Sequence, residues 1–194
     1  ARYDKIHLFD ADVDDGNAYR ESDTVRPGDA LTVVNLGFAR VGLSICYDAR
    51  FPALYQALRA KGADIIVVPA AFTVPTDLAH WKPLLRARAI ENQVYIIAPA
   101  QGGTHPSGRQ TWGHSLCIDP WGEVIGELGE QPGILYCPFD ASKLTRIRTH
   151  MPVSSHQRPE IIQQHENIAV KARSGRLTLA MQSRRLRDPG AASA

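Results

Sequence analysis

The sequence predicts an α/β fold, helices packed on a sheet, and three observations carry that reading. Two continuous runs rich in β-branched residues, ADIIVVPAAF (63–72) and VYIIAPA (94–100), have the composition of strands buried on both faces. A helical pattern precedes each run, so the order is strand, helix, strand, helix, strand. The chain has 194 residues, 44% hydrophobic and 22% charged, enough for one domain with a real core.

The first strand is RVGLSI (40–45), ending at Cys46. In FPALYQALRAKG (51–62), Phe51, Leu54, Tyr55 and Leu58 recur at i, i+3, i+4 and i+7, one apolar helix face; Pro52 suits a first helical turn and Gly62 a stop. HWKPLLRARAIENQ (80–93) reads as the second helix. GGTHPSGRQ (102–110) then reads as a loop. TWGHSLCIDPWGEVIGEL (111–128) reads as a hairpin turning at Asp119-Pro120-Trp121-Gly122, with Pro and Gly where a type I turn favours them. A further strand is expected in GILYCPFD (133–140), then a basic helix, ASKLTRIRTHM (141–151), stopped by Pro152.

Residues 1–160 are expected to form one domain and 161–194 a basic tail, disordered or helical. Residues 160–194 hold six basic and three acidic side chains against 16 and 17 in the rest, so the net charge of +2 sits in the tail. Arg184, Arg185 and Arg187 lack the interleaved aromatics of a nucleic-acid surface, and no nucleic-acid partner is expected. No run approaches the roughly 18 apolar residues of a membrane span. The opening ARYDKIHLFD is charged where a secretory signal is apolar. The expectation is a cytoplasmic protein without a membrane partner. Cys46, Cys117 and Cys137 are odd in number and widely spaced, which indicates neither a disulfide framework nor a zinc site.

Cys46 is the residue most suited to chemistry, because a strand-to-helix junction presents a side chain at the sheet edge and helix amides there favour a thiolate. Cys117 and Cys137 fall inside strand patterns, where a buried structural cysteine is the ordinary role. A thiol nucleophile needs a base and an activator of its electrophile. His80 and His114 are candidates for the base, although neither lies in a context specific to it. A rival reading comes from DADVDDG: Asp10, Asp12, Asp14 and Glu21 match positions 1, 3, 5 and 12 of a calcium-binding EF-hand loop. Against it, Asp15 stands where that loop needs glycine, and Pro27 breaks any following helix.

Six blocks in order resemble the carbon-nitrogen hydrolases of the nitrilase superfamily: YDKIHLFD around Lys5, YRESDT around Glu21, VGLSICYDARFPAL around Cys46, PAAF at 69–72, HWKPLLRARAIENQVY at 80–95 and WGHSLCIDPWGEV at 112–124. The resemblance implies a four-layer αββα sandwich and a Glu-Lys-Cys mechanism with neither metal nor cofactor. Cys46 would form a thioester, Lys5 would stabilise the oxyanion, and Glu21 would support Lys5. The Tyr47 N–H would be a second oxyanion donor, and Ala71 and Phe72 would line the substrate pocket. Asp48, Arg50, Arg86, Arg88 and Glu91 would make buried ion pairs or position helices. A small-molecule amide is the implied substrate, deaminated glutathione first and the 2-oxoglutaramate of the ω-amidase branch second; a homodimer is the implied assembly. In that family the general-base glutamate lies well upstream of the lysine, and this chain begins four residues before Lys5. The expectation is therefore an incomplete sandwich, without its N-terminal strands and helices, and an inactive or nearly inactive chain.

Overall fold

The computed structural model describes residues 1–12, 18–106, 108–158, 160 and 161. The chain divides into two units, Ala1–Gln157 and Arg158–Ala194. The expectations for the tail, 162–194, and for Asp14 and Asp15 of the acidic run lie outside the described residues.

A short hairpin opens the first unit: β1 (Asp10–Asp12) pairs antiparallel with β2 (Ala18–Arg20). Six further strands build the main sheet. These are β3 (Val33–Asn35), β4 (Arg40–Leu43), β5 (Ile65–Val67) and β6 (Tyr95–Ala98), then β9 (Leu116–Ile118) and β10 (Val124–Glu127) after the hairpin of β7 (Gly102–Thr104) and β8 (Gln110–Trp112). Their order is β10-β9-β6-β5-β4-β3, with β4, β5 and β6 parallel and the outer strands antiparallel to their neighbours. Parallel neighbours need long crossovers. Here these are α1 (Pro52–Ala60) and α2 (Val74–Asn92).

Both helices lie on one face of the sheet, for a reason visible in the strand period. Ile66, Val68, Ile96, Ala98, Leu116 and Ile118 alternate onto that face and meet Leu54, Tyr55 and Leu58 of α1 and Trp81, Leu85 and Ala89 of α2. Each large aliphatic side chain so buried contributes about 1.5–3 kcal/mol. Gly62, at φ +90°, supplies the left-handed residue that ends α1. The opposite face is apolar as well, with Val41, Ile65 and Tyr95 packed under Leu144 of α3 (Ala141–His150). Towards the strands' C-terminal ends its cover thins, and Ile97 is 37% exposed.

Four expectations need correction. α2 begins at Val74, six residues before the expected start. The polar stretch 102–110 is the β7–β8 hairpin and not a loop. Residues 133–140 form no strand. Cys117 and Cys137 are joined in a disulfide, against the expectation of thiols.

Candidate active site

The loops that leave the C-terminal ends of β4, β5 and β6 converge on a cavity of about 790 Å³, where open α/β sheets bind their ligands. Cys46 comes from the first loop, Ala71 and Phe72 from the second, Gln101 from the third. Cys46 has φ +50°, a left-handed conformation that costs a non-glycine residue energy and persists only where its surroundings impose it. They do so here: Cys46 N–H donates to Pro69 O at 2.9 Å and Ser44 N–H to Val67 O at 3.1 Å. The 3₁₀ turn Cys46–Arg50 follows and runs into α1.

Lys5, Phe9 and residues 18–21 supply a second wall. Lys5 is 9% exposed, and its Nζ lies 2.5 Å from Glu21 Oε2, which also accepts from Phe9 N–H at 2.7 Å. Lys5, Glu21, Cys46, Tyr47, Ala71 and Phe72 all line the cavity. Lys5 lies outside any strand, and its backbone O accepts from Gly28 N–H. Asp48, fully buried, joins the residues flanking Lys5 to the elbow. Its carboxylate receives Tyr3 O–H at 2.7 Å, His7 N–H at 3.0 Å and Ile45 N–H at 2.9 Å, with His7 Nδ1 at 2.8 Å.

The electrostatics also depart from expectation. Burial pushes the Cys46 thiol up, and the N–H of Ala71 together with the nearby charges of Lys5 and Arg109 opposes that rise without cancelling it. A thiol raised in this way needs a base to become the nucleophilic thiolate. Neither histidine candidate lines the cavity. His80 Nδ1 is 3.3 Å from Arg50 Nη1, while His114 stacks on Trp112 and donates to its carbonyl. The acidic run does not converge either. Asp12 pairs with Arg20, Asp10 accepts from Ser22 N–H, and Glu21 faces Lys5, so these three carboxylates are not arranged as a calcium site. Of the charged residues expected to be structural, Arg88 pairs with Glu91 and donates to Ala49 O, and Arg86 donates to Gly122 O.

Among the cavity residues that sequence reasoning does not single out as functional are Arg50, expected to be structural, and Arg109, expected in a loop. A signal for Arg109 was present, since an arginine in a glycine-rich polar connection after a buried strand is where binding residues concentrate.

An α/β domain in which a cysteine on a strained elbow shares one cavity with a part-buried Lys-Glu pair is what these observations define. The chain belongs to the carbon-nitrogen hydrolase family, whose sequence model matches residues 1–149. It is 54% identical over 159 residues to the deaminated glutathione amidase of Yersinia enterocolitica, covering 81% of this chain and 56% of that protein. The crystal structure of the Caenorhabditis elegans NitFhit protein superposes with a TM-score of 0.78 at 43% identity, over 83% of this chain and 39% of that one. A mutant amidase from Nesterenkonia sp. AN1, solved after Michael addition of acrylamide at its active-site cysteine, matches at 29% identity and a TM-score of 0.63, over 80% and 57% of the two chains. The chain thus spans about half the length of the curated relatives it matches. The fold is part of the nitrilase-type α/β architecture.

Proposed function

We propose that this chain carries the nucleophile and oxyanion side of an amidase acting on a small 2-oxo acid amide, deaminated glutathione being the first candidate. The observation that carries the reading is the shared cavity, in which Glu21 holds Lys5 and which the Cys46 elbow also lines. Cys46 Sγ attacks the amide carbon, and the oxygen's growing negative charge is met by Lys5 and the Tyr47 N–H. The C–N bond breaks as the amine departs with a proton, leaving a thioester. Water then attacks the thioester carbon, the C–S bond breaks and the acid is released.

The thiol proton needs an acceptor. Glu21 is the one carboxylate of the cavity wall among the described residues, and its Oε2 is taken by Lys5 and Phe9 N–H. The reading therefore gives the base role to the upstream glutamate of the family, a residue outside this cavity wall. Residues 1–160 are taken as the carbon-nitrogen hydrolase domain and 161–194 as a basic tail. No described helix is long and apolar enough to cross a membrane. The reading keeps the protein cytoplasmic, and homodimeric through α1 and α2; the 42% exposure of Ile90 on α2 supports that contact.

Release of 2-oxoglutarate from deaminated glutathione and from 2-oxoglutaramate tests the assignment. We expect turnover by this chain to be slight or nil and an acyl adduct to form slowly on Cys46 by intact mass, with both lost in Cys46→Ala. Turnover that survives Cys46→Ala overturns it.

A further inference from the structure

The cavity carries more positive charge than the chemistry at the thiol uses. Four cations line it, Lys5, Arg20, Arg50 and Arg109, against the single described carboxylate of Glu21. Lys5 is taken by Glu21, and Arg20 by Asp12 at 2.9 Å. Arg50 and Arg109 have no carboxylate partner among the described residues.

Both are nevertheless held in place. The Arg50 guanidinium lies 5.8 Å from the centre of the Tyr47 ring and 5.5 Å from that of Phe72, with Nη1 near His80. The Arg109 guanidinium lies 5.5 Å from the Tyr19 ring centre, and its Nη2 donates to Ala71 O. Its Nε is buried with no hydrogen-bond partner. The hairpin bearing Arg109 is itself fastened to the wall, because Trp112 N–H donates to Phe72 O. The Ala71 carbonyl accepts from Arg109, and Ala71, Arg109 and Cys46 line the same cavity.

Stacked guanidiniums with unspent N–H donors are suited to bidentate carboxylate recognition. Resting on the amidase reading above, we propose that Arg109, with Arg50, forms a carboxylate subsite that reads the acid end of the substrate and selects anionic amides over neutral ones of the same length. A carboxylate there would occupy the free donors of both arginines while its amide carbon lies at Cys46. The alternative is that Arg109 only braces Ala71.

Two alkylating reagents that differ in charge separate these roles without requiring turnover. The rate of Cys46 alkylation by 5-iodopentanoate, whose carboxylate stands as far from the reacting carbon as the substrate's acid end does from its amide carbon, divided by the rate with 5-iodopentanamide, reports the preference for a carboxylate at that distance. Any change in thiol ionisation affects both rates alike and cancels. Loss of the charge-assisted hydrogen bonds should lower the ratio roughly tenfold or more in Arg109→Gln. It should fall less in Arg50→Gln and least in Arg109→Lys, each checked for an unchanged melting temperature. A ratio equal in wild type and Arg109→Gln, with both rates lowered together, would show a brace and overturn the subsite. Failure of the amidase reading itself appears separately, as turnover surviving Cys46→Ala.

Discussion

The two walls of the cavity are built by different means. The Cys46 wall is a product of the sheet: three parallel strands fix the starting points of its loops, and backbone bonds such as Cys46 N–H to Pro69 O and Ala70 N–H to Pro99 O continue the ladder into them. The Lys5 wall contributes no strand to the main sheet and depends on side chains, above all the Asp48 carboxylate and the Lys5–Glu21 pair. One wall inherits its position from secondary structure. The other is positioned by a few buried polar contacts, each of which removes a large share of its anchorage when lost.

Asp48 is therefore the place where the difference is largest. Replacing it with alanine leaves Tyr3 O–H, His7 N–H and Ile45 N–H without their acceptor, at a cost of about 3 kcal/mol or more. We expect a lower melting temperature and preferential proteolysis within residues 1–28, with Asp48→Asn intermediate because one amide oxygen still accepts. Equal protection of the two walls from protease in Asp48→Ala would erase the contrast.

A smaller effect is expected at Asp119, which belongs to the sheet side. Burial raises its pKa, but the hydrogen bond from Lys143 of α3 and the Glu123 and Trp121 N–H groups outweigh this, and the carboxyl is held below its usual range. A depressed carboxylate stabilises the fold above the unfolded pKa of about 3.9 and loses that contribution as pH falls through the folded value. Asp119→Asn should thus cost about 1–3 kcal/mol at neutral pH, with the gap to wild type narrowing below about pH 4. Thermal melts across that range check it, and a gap independent of pH would refute it.

The same contrast explains what was legible in the sequence. The β4–α1–β5–α2–β6 core could be read because buried strands and an amphipathic helix leave periodic apolar patterns, and the elbow at Cys46 followed from the junction between them. Lys5 and Glu21 carry no local signal. Their place is set by contacts such as Tyr3–Asp48, 45 residues apart, and only the resemblance of whole blocks found them. The β7–β8 hairpin hid in exposed Gly102, Gly103 and Thr104, which have no apolar alternation to read. The opposite error arose at 133–140, where the apolar spacing suggests a strand; Ile134 and Tyr136 are instead exposed, while Cys137 is tied to Cys117 of β9. An odd number of cysteines concealed that pair.

Lys5 and Glu21 are proposed to act on Cys46 within one cavity, and the ionisation of the thiol measures that action. The pH dependence of Cys46 alkylation by iodoacetamide should place the wild-type thiol above an ordinary cysteine, because burial dominates. Lys5→Met removes a cation that favours the thiolate, so the profile should move to higher pH. Glu21→Gln removes an opposing anion, so it should move to lower pH. Opposite displacements in the two variants are the predicted result; a profile that neither substitution moves would contradict the shared site.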